Sequence, residues 1–332
     1  MDRIPVTSTA DRESFCALPG LSDLTPDVLA RHRPDESWAV ADGGNVVARC
    51  SLWWADAPPL AGQRIGAVGH YAAASADAAG PLLDHACQRL AANDCTLAVG
   101  PMDGNTWRRY RLLTDRGTEP PFLLEPDNPD DWPAHFTGSG FTPLAEYYSA
   151  VNDDLTQTDP RHGAVRRRIA DRGITLRPLN PDRFEDELRA IHALSLASFT
   201  QNFLYTPIGE EEFLAQYRGV RPHVRPELVL MAEREGQLVG FLFMIPDLLQ
   251  AKRGQPIDTV IFKTMAVHPE HRGSGLGGLL MALGHEAAHR LGYRRAIHAL
   301  MHAANPSRRI SGHTARTIRR YTLFARPLGR AP

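Results

Sequence analysis

The chain has 332 residues, 43% of them hydrophobic, with 37 basic and 38 acidic side chains and a formal net charge of −1. That length can bury a large core and suggests two domains. The charge balance exerts no overall pull toward nucleic acid or an anionic membrane.

The N-terminus, MDRIPVTSTADRE, is charged and lacks an apolar signal core, and no apolar run reaches membrane-spanning length. A cytoplasmic, non-membrane protein is the expectation. Cys16, Cys50, Cys87 and Cys95 lie in the first third without zinc-type spacing, which predicts reduced core thiols. The first half then gives an apolar hairpin over residues 38–48 that turns at Gly43-Gly44, a strand at 65–69, and a helix with a Leu82, Leu83, Ala86, Leu90 stripe. Next come a dense polar turn, Gly100 to Trp107, and Tyr147-Tyr148 after Gly140-Phe141; both could line a cavity or be plain turn and core. Residues 156–173, polar and carrying Pro160 and Gly163, read as a linker.

The second half repeats the plan. A strand at 174–178 precedes a helix over 181–197, which Asn180 starts with Pro181 in its first turn. Strands at 228–232 and 238–243 join around Glu235-Gly236, and a near-continuous apolar strand runs from Thr259 to Val267. Gly44 and Val47 of the first hairpin match Gly236 and Val239 of the second at one constant spacing. After Val267 come Pro269, Arg272 and the loop Gly273-Ser274-Gly275-Leu276-Gly277, then a long amphipathic helix, a strand at 296–301 and a last strand at 321–325. A glycine loop that opens a helix exposes backbone donors at the positive end of the helix dipole, which suits a phosphate; Arg272 adds charge. A structural turn is the bland alternative. In the first half the matching position reads Tyr71-Ala72-Ala73-Ala74-Ser75-Ala76-Asp77, with no arginine, no alternating glycines and a carboxylate that would repel phosphate.

The order Val-x-Pro-x-x-Arg-Gly-x-Gly-x-Gly, together with the succession of elements from Ile174 to Leu328, resembles the GNAT superfamily of N-acetyltransferases. The resemblance implies an α/β fold with a mixed sheet, in tandem: a degenerate copy over 1–155 without a coenzyme loop, and an acetyltransferase domain over 174–330. It implies acetyl-CoA as co-substrate, with Arg272, Gly273, Ser274, Gly275, Leu276 and Gly277 on the pyrophosphate. The backbone of Met265, Ala266 and Val267 would meet pantetheine and thioester, and Asn305 the pantetheine arm. The acceptor would be a small-molecule or peptide amine, acylated by direct transfer in a ternary complex.

The chain departs from the family pattern where proton transfer is expected. Ile261 stands where many members place an acid, and Gly312 where a tyrosine acid is usual. Lys263, one of two lysines in the chain, and Tyr321 are the substitute catalytic candidates; a plain strand lysine and a packing tyrosine are the alternatives. His285-Glu286-Ala287-Ala288-His289 also spells the zinc-protease pattern. Its third-ligand position is Arg295, and both histidines fall opposite the apolar stripe of the helix. No metal is therefore expected there. Ten arginines and no acid follow Glu286. Without aromatic interleaving this basic tail does not point to nucleic acid. A non-catalytic acyl-CoA-binding scaffold and a Fem-type aminoacyl transferase are the other classes kept open. The acceptor and the oligomeric state are not legible.

Overall fold

The structure, a computed structural model, describes residues 1–19, 24–157, 161–304 and 315–329. The first half contains β1 (Asp2–Pro5), α1 (Thr9–Ala17), α2 (Pro26–His32), β2 (Glu36–Asp42), β3 (Asn45–Trp53), β4 (Ile65–Ala73), α3 (Ala76–Ala92), β5 (Leu97–Gly100), β6 (Leu112–Asp115), α4 (Trp132–Gly138) and β7 (Thr142–Asn152). The second contains α5 (His162–Asp171), β8 (Ile174–Pro178), α6 (Phe184–Ser198), α7 (Glu210–Arg218), β9 (Val229–Arg234), β10 (Gln237–Pro246), α8 (Leu248–Lys252), β11 (Thr259–Val267), α9 (Leu276–Arg290), β12 (Arg295–His302) and β13 (Ala315–Pro327). The expected strands of the second half are present, as are the helices expected before the second hairpin and after the glycine loop, and β11 has the expected bounds; the helix expected between the last two strands lies outside the described residues. The last strand is longer than the apolar run 321–325 because its polar start, Ala315–Arg320, pairs with β7.

All the strands join one mixed sheet, in the order β1-β2-β3-β4-β5-β13-β7-β12-β11-β10-β9-β8, with β6 paired to β13. The two halves exchange strands. β5 of the first half pairs with the chain's last strand, Phe324 to Pro327 against Gly100 to Leu97. β12 of the second half pairs with β7 of the first, Ala296 to His298 against Asn152 to Ala150. β13 and β7, antiparallel to each other, form the centre of the sheet.

This exchange accounts for four arginines of the basic tail. Arg295 and Arg316 both bind Glu119 and Asp153, Arg319 binds Glu125 at 2.8 Å, and Arg326 binds Asp84 at 2.6 Å. The acids missing from the end of the chain are supplied by the first half. Around the sheet, α3 covers one core and α9 another with Leu276, Leu279, Leu280 and Ala287 fully buried; α6 and α7 close a third. The four cysteines are free thiols, three of them buried. No helix among the described residues is long and apolar enough to cross a membrane.

Candidate functional site

β11 and β12 run parallel and pair only from Thr259–Phe262 to Arg295–His298. On its other side β11 stays paired with β10 as far as Val267. Past Phe262 the strand therefore keeps one neighbour and turns its other edge to a wedge. Leu300, in the parting stretch of β12, takes a left-handed φ of 60°, and its N–H donates to Ser149 Oγ at 3.0 Å. Lys263, Met265, Ala266 and Val267 all lie on this part of β11.

The glycine loop adjoins the same end of β11. α9 starts at Leu276 behind Gly275, which caps it with φ +92°. Ser274 Oγ accepts from Leu276 N at 3.2 Å, and Gly277 lies against the side chains of Met265 and Val267. The first-turn amides of a helix have no partner within it. Here they open beside the free edge of β11. Arg272 donates to the Ser198 carbonyl at 2.6 Å, which ties the loop to the end of α6.

Sequence reasoning missed one part of this loop. Within the segment expected as a linker, His162–Asp171 forms α5, whose Ile169 is buried in the core under α9. Its Arg168 donates to the Ser274 carbonyl at 2.8 Å. Any side chain at Gly275 would press against Arg168 and Val165, with a Cβ only 2.9 and 3.0 Å from them. The alternation Val165–Ile169 is a weak helical signal, and the polar composition of the segment masks it.

The two catalytic candidates are brought to one turn, Phe122–Glu125, by residues from the first half. Lys263 Nζ reaches the Leu124 carbonyl at 3.4 Å. Burial, then the charge of Arg111, pushes its pKa down to about 8. Tyr321 is fully buried, with its hydroxyl donating to Glu125 Oε1 at 2.7 Å and 3.2 Å from Ser149 Oγ. Burial raises its pKa, and Glu125 raises it further. Glu125 itself is shifted upward because burial outweighs its bonds to Tyr321 and Arg319. Arg111, which sequence reasoning did not single out, lies over the Tyr110 and Tyr147 rings at 4.2 Å from each. A third polar side chain, Tyr217 of α7, hydrogen-bonds Thr264, the residue after Lys263, and burial pushes it up to about 12. Asn305 lies outside the described residues.

Thr264 also borders a small apolar gap, about 20 Å³, between α6, α7 and the sheet, lined by Phe184, Leu188, Tyr217, Phe241 and Phe243 among others. The polar turn at Gly100–Trp107 and the aromatic segment after α6 meet. Trp107 Nε1 donates to the Thr206 carbonyl at 2.7 Å, and its ring packs on Phe199, Tyr205 and Phe213.

The HEAAH histidines part company. His289 is exposed, but His285 is half-buried and not solvated as expected, because β12 presents His298 to it. Their Nε2 atoms are 3.1 Å apart, and Phe262 stacks on His298. Burial holds His285 at about 4 and His298 at about 3, so both are neutral. Among the described residues no cluster of three metal-ligating groups includes either one.

Comparison with known proteins agrees with this geometry. Residues 225–311, spanning β9 to β12, match the family model described as an acetyltransferase (GNAT) domain. The chain is 24% identical over 271 residues to a bacterial ceramide synthase of Caulobacter vibrioides, 75% of this chain and 70% of that protein. Among solved structures it resembles a tandem GNAT protein from the clavulanic acid biosynthesis pathway, with TM-score 0.52 and 16% identity, covering 100% of this chain and 99% of that one. It also resembles a glucosamine N-acetyltransferase region of a fungal multi-domain beta-N-acetylglucosaminidase, with TM-score 0.56 and 14% identity; 98% of this chain is covered, and it spans 38% of that protein. The chain thus shares its overall fold with a tandem GNAT protein, and the domain match within its second half indicates an N-acyltransferase enzyme. Its C-terminal half carries a GNAT acetyltransferase domain.

Proposed function

We propose that the protein transfers an acyl group, acetyl in the first instance, from its coenzyme A thioester to a small-molecule or peptide amine. One observation carries this reading: β11 parts from β12 after Phe262 at the same end where the Gly273–Gly277 loop starts α9. A free strand edge and a bare helix N-terminus are what pantetheine amides and a pyrophosphate require. The amides of Gly273 to Gly277 hold the pyrophosphate, with Arg272 and Arg168 as nearby charge. The backbone of Met265, Ala266 and Val267 pairs with the pantetheine arm.

The amine nitrogen attacks the thioester carbonyl directly. A C–N bond forms, the C–S bond breaks, and coenzyme A leaves as the thiol with the proton that the amine gives up. Strand N–H groups near Met265 stabilise the oxyanion, an effect typically worth about 3 kcal/mol. Lys263, its pKa lowered to about 8 by burial, is the side chain on β11 best suited to pass the proton. Tyr321 is enclosed by Ser149 and Glu125 and serves to hold that turn in place.

Titration calorimetry with acetyl-CoA, paired with thiol release against an amine panel, tests the reading. Binding near micromolar that Gly275→Glu abolishes is expected. No binding, or binding indifferent to Gly275→Glu, overturns it. Binding without thiol release favours the non-catalytic scaffold.

A further inference from the structure

The first half has its own wedge, and its own chain closes it. β4 and β5 run parallel, pair over Ile65–Ala67 and Leu97–Val99, and then part, as β11 and β12 do. Met102 N donates to the Val68 carbonyl at 2.8 Å inside this gap. A Cβ at Gly69 would collide with the Met102 carbonyl. Opposite the plug, β4 bulges: its register against β3 shifts between Arg49/Ala72 and Ser51/Gly69. The residue thrown out by the bulge is His70, at φ +46° and fully buried. A histidine held in the left-handed region costs about 1 kcal/mol, and such strain gathers at sites where the surroundings fix it. His70 is the sixth residue of its nine-residue strand, the place that Thr264 holds in β11.

Two further groups meet it there. His32, the last residue of α2, places Nδ1 2.8 Å from His70 Nε2. Asp103, on the plug, binds the His70 amide through Oδ1 at 2.6 Å and brings Oδ2 to 4.0 Å from His70 Nε2. One ligand atom from each of the three residues lies within 4.8 Å of the others. The second ring nitrogen of His70 is 2.9 Å from Ser51 Oγ, which is 2.7 Å from Ser37 Oγ. That hydroxyl chain orients the ring from behind, as the outer partners of metal-bound imidazoles do. Trp53 lies edge-on to His70 at 5.0 Å and donates to the His32 carbonyl at 2.9 Å. Arg108 lies beside the group and donates to the His32 carbonyl at 3.0 Å. The Arg108 charge is itself offset by Glu212 at 2.7 Å.

We propose that His32 Nδ1, His70 Nε2 and an Asp103 carboxylate oxygen form a zinc site in the closed wedge of the first half, with a water as the fourth ligand on the half-exposed side of His32. Zinc bonds of about 2.0–2.1 Å in a tetrahedron separate ligand atoms by about 3.3 Å. The observed 2.8 and 4.0 Å bracket that value. Binding needs the His32–His70 contact to open and the Asp103 carboxylate to close by roughly half an ångström or slightly more. The ion would clasp α2, β4 and the plug together.

The test uses the full chain, stripped with a chelator and titrated with Zn²⁺ against a chromophoric chelator and with Co²⁺ by visible absorption. One equivalent with a Kd below roughly 1 µM and tetrahedral Co²⁺ bands are expected. His70→Ala can disturb the bulge, so His32→Gln and Asp103→Asn are the deciding variants. Each should weaken zinc by about 100-fold or more while the metal-free melting temperature stays within a few degrees of wild type. Millimolar binding by the wild type, or binding untouched in both variants, overturns the site. Acetyl-CoA titration is a separate readout, so failure here and failure of the acyltransferase reading are distinguishable.

Discussion

At the scale of single residues, the glycine loop was legible and the groups around it were not, for one reason. Gly275 is demanded by its own backbone, φ +92° at the start of α9, and such local demands are written in sequence. Lys263 was found as a residue, but its environment was not, because Leu124 and Arg111 arrive from the first half. Its lowered pKa has a sign that can be tested. The folded chain binds the lysine proton more weakly than the unfolded chain, so the charged form costs stability below about pH 8. That cost fades as pH rises toward the unfolded value. Lys263→Met should therefore stabilise the protein at pH 7 by about 1 kcal/mol, after discounting for solvent, and by less at pH 10. Chemical denaturation at the two pH values measures this. If Lys263 carries the proton, the same variant also loses the rise in kcat/KM through pH 8. The ion pair of Arg319 with Glu125 is almost wholly buried, the side chains 0% and 2% exposed. Glu125→Gln leaves the guanidinium without its counter-charge and should cost about 3–5 kcal/mol in urea unfolding.

At the scale of elements, the period of the apolar residues delivered the strands of the second half with α6 and α9, most bounds within a few residues, while the short helices α7 and α8 were not read. It failed at α5. That helix has a single fully buried side chain, Ile169, so its apolar stripe is too thin to stand out from a charged linker. Its contact with the loop is polar, from Arg168 to the Ser274 carbonyl. Arg168→Ala should loosen the loop and raise KM for the acyl donor by about tenfold with kcat little changed, as expected for loss of a charge-assisted bond worth about 1.5 kcal/mol. Steady-state kinetics at saturating amine separates the two constants. The order of elements in each half was also legible, because each repeats the same hairpin, strand and helix. Which strand pairs with which was not. Neither Phe324 nor Gly100 carries a mark of the other.

At the scale of the whole molecule, that exchange joins the halves more firmly than a linker does. The proposed division at 1–155 and 174–330 follows the repeat in sequence, while β7 and β13 cross it in space. Residues 1–155 expressed alone would present β5 without one of its two neighbours and β7 with neither of its own. Each separate half should be insoluble or molten by circular dichroism and tryptophan fluorescence, and coexpression of the two should restore a folded pair. Two halves that fold and stay monomeric apart would contradict the exchange.

The same crossing sets a timetable for the newborn chain. β5 ends at Gly100, and its partner strand begins pairing at Phe324, which leaves the ribosome 224 residues later (324 − 100). Until then the first half holds a bare, apolar strand edge. Such an edge invites pairing with a neighbouring chain, and contacts this distant in sequence form slowly. The first half is thus completed only after the second has been made, which makes the yield in the cell depend on translation speed and chaperone supply more than the final stability would suggest.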